Sequence, residues 1–375
     1  MTEGRIADVV RKAGRVQHTC DGVTALRVEG AAFAGGGIAR ITAGSLVLDG
    51  KVLSNGIASN TGTGAGGEDG HIHPVVRRKP GGVPATVLSQ LTYPAPTAKV
   101  WPVIDQLHAN TLQVPIAWEQ IEPEEGRFDF SFLDTLLEQA REHDVRLVLL
   151  WFATWKNTGT AYAPGWVKRD NKRFPRMIGR EGKTHYAFTP LAKSTLEADR
   201  KAFVALLRHL RERDPQNTVI MVQVENEPGS YSSARDHSAE ADRLFAGPVP
   251  VTLLKQTGKK PGSWSQVYGR DAELFFHSWH IASYIDAVAA AGKAVKPLPM
   301  YANAALTGSP FGWQDPNTYA SGGPAHTVID VYKAAAPHLD LVGPDIYNPD
   351  HKAYLGFLDA YRRPDNPLFV AETGN

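Results

Sequence analysis

Apolar and polar positions divide the chain into two stretches of different texture. From Tyr93 onward, short continuously apolar runs alternate with longer amphipathic ones. Apolar runs of roughly four to eight residues read as buried strands, and apolar residues at three- and four-residue spacing read as helices. The helical pattern covers Ala98–Leu107, Phe132–His143, Leu196–Arg213, Glu273–Ala291, Val328–Ala335 and Phe357–Tyr361; Phe203, Leu206, Leu207 and Leu210 share one stripe of the third. The strand pattern covers 111–118, 146–152, 219–225, 297–306, 339–347 and 367–372. Strand and helix alternate six times, the pattern of a parallel sheet joined by crossover helices. Right-handed crossovers curl such a sheet into an α/β architecture of (β/α)8 TIM-barrel type. The barrel is expected to be incomplete: the chain stops three residues after Glu372, leaving strand eight missing, and strand one has no clear equivalent.

Residues 1–92 differ. They hold no Trp or Tyr and a single Phe, Phe33, and the stretches 34–37 and 60–70 are rich in Gly, Ala, Ser and Thr. Such composition buries little surface. Two short β-like pieces, Ala25–Gly30 and Ser45–Gly50, each end in a turn signal. The region reads either as a small, partly disordered β appendage or as sequence foreign to the domain of residues 93–375.

Composition removes several classes of function. A formal net charge of +1 without a basic stripe argues against nucleic acid as a partner. No apolar run approaches the ~20 residues that span a bilayer, so no membrane partner is expected. The N-terminus shows no apolar signal-peptide segment, which as written points to the cytoplasm and leaves export of a longer form open. A lone cysteine, Cys20, excludes an internal disulfide and a multi-thiolate metal site. His277 and His280, one helical turn apart, have no third ligand nearby and read as helix packing, while His71 and His73 read as exposed. No phosphate loop, dinucleotide fingerprint or Ser-His-Asp set is present, and neither cofactor nor metal is expected.

Chemistry concentrates at two strand ends. Val219–Gly229 runs from a buried strand straight into Glu225, Asn226, Glu227, Pro228 and Gly229, and Pro367–Asn375 ends in Glu372, Thr373, Gly374 and Asn375. The C-terminal strand ends of a parallel barrel carry its active site. Two carboxylates offered there are what glycosidic-bond cleavage requires. Side chains alternate along a regular strand, so Glu225 and Glu227 would share a face with Asn226 turned away. Glu225 is then expected to pair with a cation or an amide below the site.

These residues, with Trp118–Pro123, Val222–Ser230, Asp345–Tyr347 and Ala371–Asn375 in the same order, resemble the clan of retaining (β/α)8 glycoside hydrolases and its β-galactosidase-like families 35 and 42, most nearly a family-35-like branch with an additional C-terminal β domain. The resemblance covers 93–375 and implies Glu227 as acid/base on the fourth strand and Glu372 as nucleophile on the seventh. Counting strands between them gives the same placement. It further implies that Tyr347 orients the nucleophile and that Asn226 meets the sugar 2-hydroxyl if the strand end bulges. Trp118, Glu119, Trp151, Trp155, Lys156 and Asn157, which close the second and third strands, and Asn303 on the fifth, are the expected sugar contacts. The expected partner is a β-galactoside or a related oligosaccharide or polysaccharide. Two alternatives stay open: another β-glycosidase of the clan, of glucosidase, mannanase or xylanase type, and an inactive fragment or carbohydrate-binding protein.

Overall fold

The computed structural model describes residues 100–374 and, as backbone alone, the short strands Val16–Thr19 (β1), Ala25–Val28 (β2) and Val87–Ser89 (β3). The expectations for Ser45–Gly50, for 34–37 and 60–70, and for His71 and His73 fall outside the described residues. The chain divides into two compact units, one running to Thr111 together with Gly374–Asn375 and the other comprising Leu112–Thr373. In the first, β1 and β2 pair antiparallel, and a helix, α1 (Trp101–Leu107), ends at His108 in a left-handed conformation.

The second unit is built on a parallel sheet. Its strands are β4 (Thr111–Ala117), β5 (Arg146–Lys156), β8 (Val219–Asn226), β9 (Met300–Ala305), β10 (Leu341–Ile346) and β11 (Glu372–Thr373), adjacent in that order. Pairing is parallel from β5 through β11. A separate antiparallel hairpin, β6 (Arg176–Ile178) with β7 (Thr184–Phe188), interrupts the passage from β5 to the next helix and was not legible in the hydrophobic pattern. The longer crossover helices are α2 (Ser131–Glu142), α3 (Lys193–Arg213), α4 (Ala272–Val295), α5 (Ile329–Ala335) and α6 (His351–Tyr361). The sheet is curled: Gln113 on β4 donates to the carbonyl of Ala371 beside β11 (3.4 Å) and accepts from the Tyr301 hydroxyl of β9 (3.5 Å). One side chain thereby reaches from the first of the six strands toward the last. The architecture is an incomplete (β/α)8 barrel. Among the described residues no helix is long and apolar enough to cross a membrane.

Strands enclosed on both faces need apolar residues at nearly every position. Every residue of β4 is buried, as is every residue of β5 between its two ends. On the helical layer, α3 and α4 pack closely because Gly292 leaves room for the Phe203 ring; a Cβ at 292 would stand 2.3 Å from that ring. A second apolar cluster, around Leu253, Trp264, Phe276 and Val331, forms where the short helices Val251–Thr257 and Trp264–Tyr268 fold against α4 and α5. Asp350 caps α6 by accepting from the Ala353 N–H (2.7 Å).

The Gly292–Phe203 contact yields a direct test. Gly292→Ala is expected to lower the unfolding free energy by about 1–3 kcal/mol through overpacking. That outweighs the roughly 1 kcal/mol that alanine gains over glycine in a helix interior. Urea unfolding of the variant checks it; an unchanged or higher midpoint would show that the two helices are not packed this tightly.

Candidate active site

The end of β8 sets the geometry. Glu225 and Glu227 both take left-handed backbone angles, φ 63° and φ 44°, on either side of Asn226. Such angles cost a non-glycine residue roughly 1–2 kcal/mol each and break the alternation of a regular strand. The expectation that Glu225 and Glu227 share a face therefore gives way to a bulge. Glu225 turns toward the layer between sheet and helices, where its Oε2 accepts from the Trp155 N–H at 2.7 Å. That backbone amide is one of its partners, and among the described residues no cation pairs with it. Asn226 turns to Glu372, and its Nδ2 donates to Glu372 Oε1 at 3.4 Å. The Glu227 N–H donates to Asn303 Oδ1 at 2.9 Å.

Neighbouring loops hold the bulge from outside. The N–H groups of Asn157 and Thr158 donate to the carbonyls of Asn226 (3.2 Å) and Glu227 (3.0 Å). Past Pro228, Ser230 and Ser321 exchange backbone hydrogen bonds, and the approach is so close that Gly229 and Gly323 have no room for side chains. A Cβ at 229 would meet the Ser321 carbonyl oxygen at 2.6 Å, and one at 323 the Pro228 carbonyl oxygen at 2.4 Å. Gly229 also sits at φ 136°, which glycine alone adopts easily.

Three carboxyl groups gather at this end of the sheet. Glu372 is nearly sealed from solvent and accepts from Asn226 and from the Tyr347 hydroxyl, the latter at 2.6 Å. Burial and the adjacent Glu372 push the Tyr347 hydroxyl well above its ordinary pKa, which keeps it a donor. Glu227 is pushed up to about 7, by burial first and then by the negative charge of Glu372, with Lys156 acting in the opposite sense. The third carboxyl, Asp345, is buried on β10 opposite Glu372 in the parallel register, and its Oδ2 accepts from Asn303 Nδ2 at 2.6 Å. Burial raises its pKa strongly, and both glutamates add to the effect.

Of the residues expected at the site, Glu227, Glu372, Asn226, Tyr347 and Asn303 are brought together. Asn303 is fully buried, with its two amide atoms engaged by Asp345 and by the Glu227 backbone, so it is a bridge within the cluster and not an open sugar contact. Asn157 stands exposed on the loop over β8 and receives Lys156 Nζ on its Oδ1. Glu119, exposed at the end of β4, pairs with Lys168 at 3.0 Å.

The three tryptophans are corrected. Trp151 donates to Asp199 on α3 at 2.9 Å and packs on Phe203, while Trp155 stacks edge-on against Tyr284 of α4 at 4.9 Å. Both are fully buried in the layer between sheet and helices. Trp118 is fully buried too, its N–H taken by Glu122 at 2.9 Å and its ring set edge-on to Trp166. None offers a free face to a sugar. His277 and His280 pack as expected: burial lowers them to about 3 and about 4, and His277 Nε2 meets Ser230 Oγ at 3.2 Å, beneath the turn that follows Glu227.

Sequence reasoning missed Asp345 as a member of the cluster, and it missed Tyr231 and Tyr186. Tyr231 is half-exposed; burial, then the charge of Glu227, raises its hydroxyl pKa, and its N–H donates to the Tyr186 hydroxyl at 3.0 Å. An aromatic residue so soon after a strand-end acid was the available signal for Tyr231. Tyr186 comes from the unforeseen hairpin.

The raised Glu227 has a consequence for stability. From about pH 4.5 to about 7 the folded protein holds a proton that the unfolded chain releases, so stability falls as pH rises through that window. The penalty is complete above it. At about 1.4 kcal/mol per pH unit, removing the charge is worth on the order of 1–3 kcal/mol. Glu227→Gln is accordingly expected to match the unsubstituted protein in urea unfolding near pH 4 and to exceed it near pH 8; a gain that is the same at both pH values would contradict a raised Glu227.

Known proteins carry the same architecture. The structure of β-galactosidase from the psychrophilic Marinomonas ef1 superposes with a TM-score of 0.55 at 13% sequence identity, covering 76% of this chain and 48% of that one. The β-galactosidase of Bacillus circulans sp. alkalophilus superposes with a TM-score of 0.50 at 14% identity, covering 74% of this chain and 42% of that one. The chain thus spans about half the length of these structures or less, and at such identities the likeness is one of fold. No curated protein sequence matches the chain. The sequence model of glycoside hydrolase family 42, described as beta-galactosidase, matches residues 98–286, a span that includes Glu227 and ends before Glu372. That match takes in half of the chain, and the chain belongs to glycoside hydrolase family 42.

Proposed function

We propose that the protein is a retaining β-glycoside hydrolase of β-galactosidase type, acting by double displacement. Glu227 delivers a proton to the departing glycosidic oxygen as Glu372 attacks the anomeric carbon, giving a glycosyl-enzyme ester. Glu227, now a carboxylate, then takes a proton from the water that displaces Glu372. Both steps balance in protons, and the enzyme returns to its starting form. The observation that carries this reading is the contrast between the two glutamates. One has its carboxyl raised to about 7 by burial, ready to hold a proton near neutrality. The other is oriented by the Tyr347 hydroxyl and the Asn226 amide.

Carboxyl groups about 5–5.5 Å apart characterise the retaining geometry, and the Asn226 bridge that leads from the backbone bulge to Glu372 supports a close pair. Asn226 Oδ1 is buried with no partner among the donors of the described residues, which suits it to a substrate hydroxyl. Half-exposed Tyr231, Tyr186 and Tyr347 supply amphipathic faces at the mouth where tryptophans were expected. Among β-glycosides, galactosides are the favoured class on the strength of family membership. Glucosides, mannosides and xylosides share the same carboxyl chemistry and form the comparison set.

Hydrolysis of nitrophenyl β-galactoside, β-glucoside, β-mannoside and β-xyloside, with Glu227→Gln and Glu372→Gln alongside, tests the proposal. Galactoside turnover is expected to dominate and to fall by about 10²–10⁴-fold in Glu227→Gln, and to vanish in Glu372→Gln. A fluoro-sugar inactivator is expected to label Glu372. Turnover that survives both substitutions would remove these two residues from the mechanism.

A further inference from the structure

Asp345 is buried, charged by type, and has no role in the double displacement just described. Its Oδ2 holds Asn303 at 2.6 Å, and Asn303 in turn holds the Glu227 N–H at 2.9 Å. Asp345 thereby fixes the orientation of the amide that pins the left-handed backbone of Glu227. Its other oxygen, Oδ1, is buried and receives no hydrogen bond from any donor among the described residues. A buried carboxyl oxygen without a donor is rare, because the unpaired group loses its water and gains nothing in return.

The neighbour of that carboxyl is another one, Glu227, with which it interacts directly. Two carboxyls in contact inside a protein do not both ionise. Glu372 of β11 and Glu227 of β8 are acidic, and Tyr301 of β9, Tyr347 and Tyr361 of α6 are raised hydroxyls. Among the described residues Lys156 is the cation that acts on Asp345 and Glu227, and it works against the raising of both.

We infer that Asp345 is a positioning residue for the acid/base: it stays a neutral carboxylic acid whose O–H points at the Glu227 carboxyl while its other oxygen locks Asn303 beneath Glu227. This rests on Glu227 being the acid/base. When Glu227 gives up its proton to the leaving oxygen, the Asp345 O–H stabilises the carboxylate that forms; when Glu227 takes a proton from water, the O–H of Asp345 is still in place. The Asp345 proton itself is not transferred to substrate. A neutral donor facing Glu227 lowers the Glu227 pKa, whereas an ionised Asp345 would raise it. The sign of that influence separates the two states.

Two variants and one titration test the inference. Asparagine keeps an acceptor for Asn303 and a neutral donor for Glu227, so Asp345→Asn is expected to retain turnover within about threefold and to leave the alkaline limb of the kcat/KM profile in place. Asp345→Ala is expected to lose about ten- to a hundredfold in kcat on a substrate with a poor leaving group, which needs the proton, and little on a dinitrophenyl glycoside, which does not. Retained labelling of Glu372 by the fluoro-sugar would show that the alanine variant is folded. An alkaline limb that moves to lower pH in Asp345→Asn would mean an ionised Asp345 and overturn the inference, as would an equal loss on both leaving groups in Asp345→Ala. Carbon-13 NMR titration of the side-chain carboxyls reads Asp345 without turnover. A proton retained above about pH 7 supports the inference even if no glycoside is hydrolysed, in which case the glycosidase reading alone fails; ionisation below about pH 5 overturns it whatever the activity.

Discussion

The hydrogen bond from the Trp155 N–H to Glu225 fastens two adjacent strand ends at the point where β8 leaves regular geometry. With Glu225 drawn toward the helical layer, the chain can continue only through a left-handed residue, and Asn226 and Glu227 swing to positions that a flat strand would deny them. The placing of Glu227 against Asn303 and of Asn226 against Glu372 depends on that one departure. Its conformational cost is met by the backbone donors of Asn157 and Thr158, on the loop after β5, and by the side-chain amide of Asn303 on β9. Strain of this kind persists only where the surroundings over-determine it.

A second constraint is charge. Behind the strand end, Asp199 accepts from Trp151, Thr154 and Tyr284, while Glu225 beside it has its pKa raised strongly by burial and by Asp199. In front, Glu227 and Asp345 stand beside Glu372. On both sides of the sheet, then, acids are buried next to acids. A fold seeking stability alone would replace such pairs with apolar groups. Their presence fits a site in which protonation states must differ between neighbouring carboxyls.

Much of this was legible in the residues themselves. Alternating apolar and amphipathic runs gave the sheet and its helices, because a strand covered on both faces must be apolar throughout. The same fact explains the failure with Trp151 and Trp155. In a strand buried on both sides, hydrophobicity does not tell the barrel interior from the helix-facing side, so two large aromatics near a strand end were assigned to the wrong face. Glu227 and Glu372 were readable since acids that end apolar runs have few structural uses. Asp345 escaped because its importance lies in what surrounds it: Asn303 on β9, Glu372 on β11 and Glu227 on β8 come from distant parts of the chain. The hairpin that supplies Tyr186 has too few residues per strand to leave a periodic signature.

The two glycines that let the loop after β8 touch the loop after β9 have a bearing on how such a protein can diversify. Gly229 and Gly323 each admit the other loop's backbone to a distance no side chain would permit, and Ser230 and Ser321 stitch the contact shut. Neither segment can be lengthened, shortened or exchanged by itself without prising open the turn that presents Glu227. Variation at this rim is heritable only as a matched pair, so grafts from a relative would have to transplant both loops together.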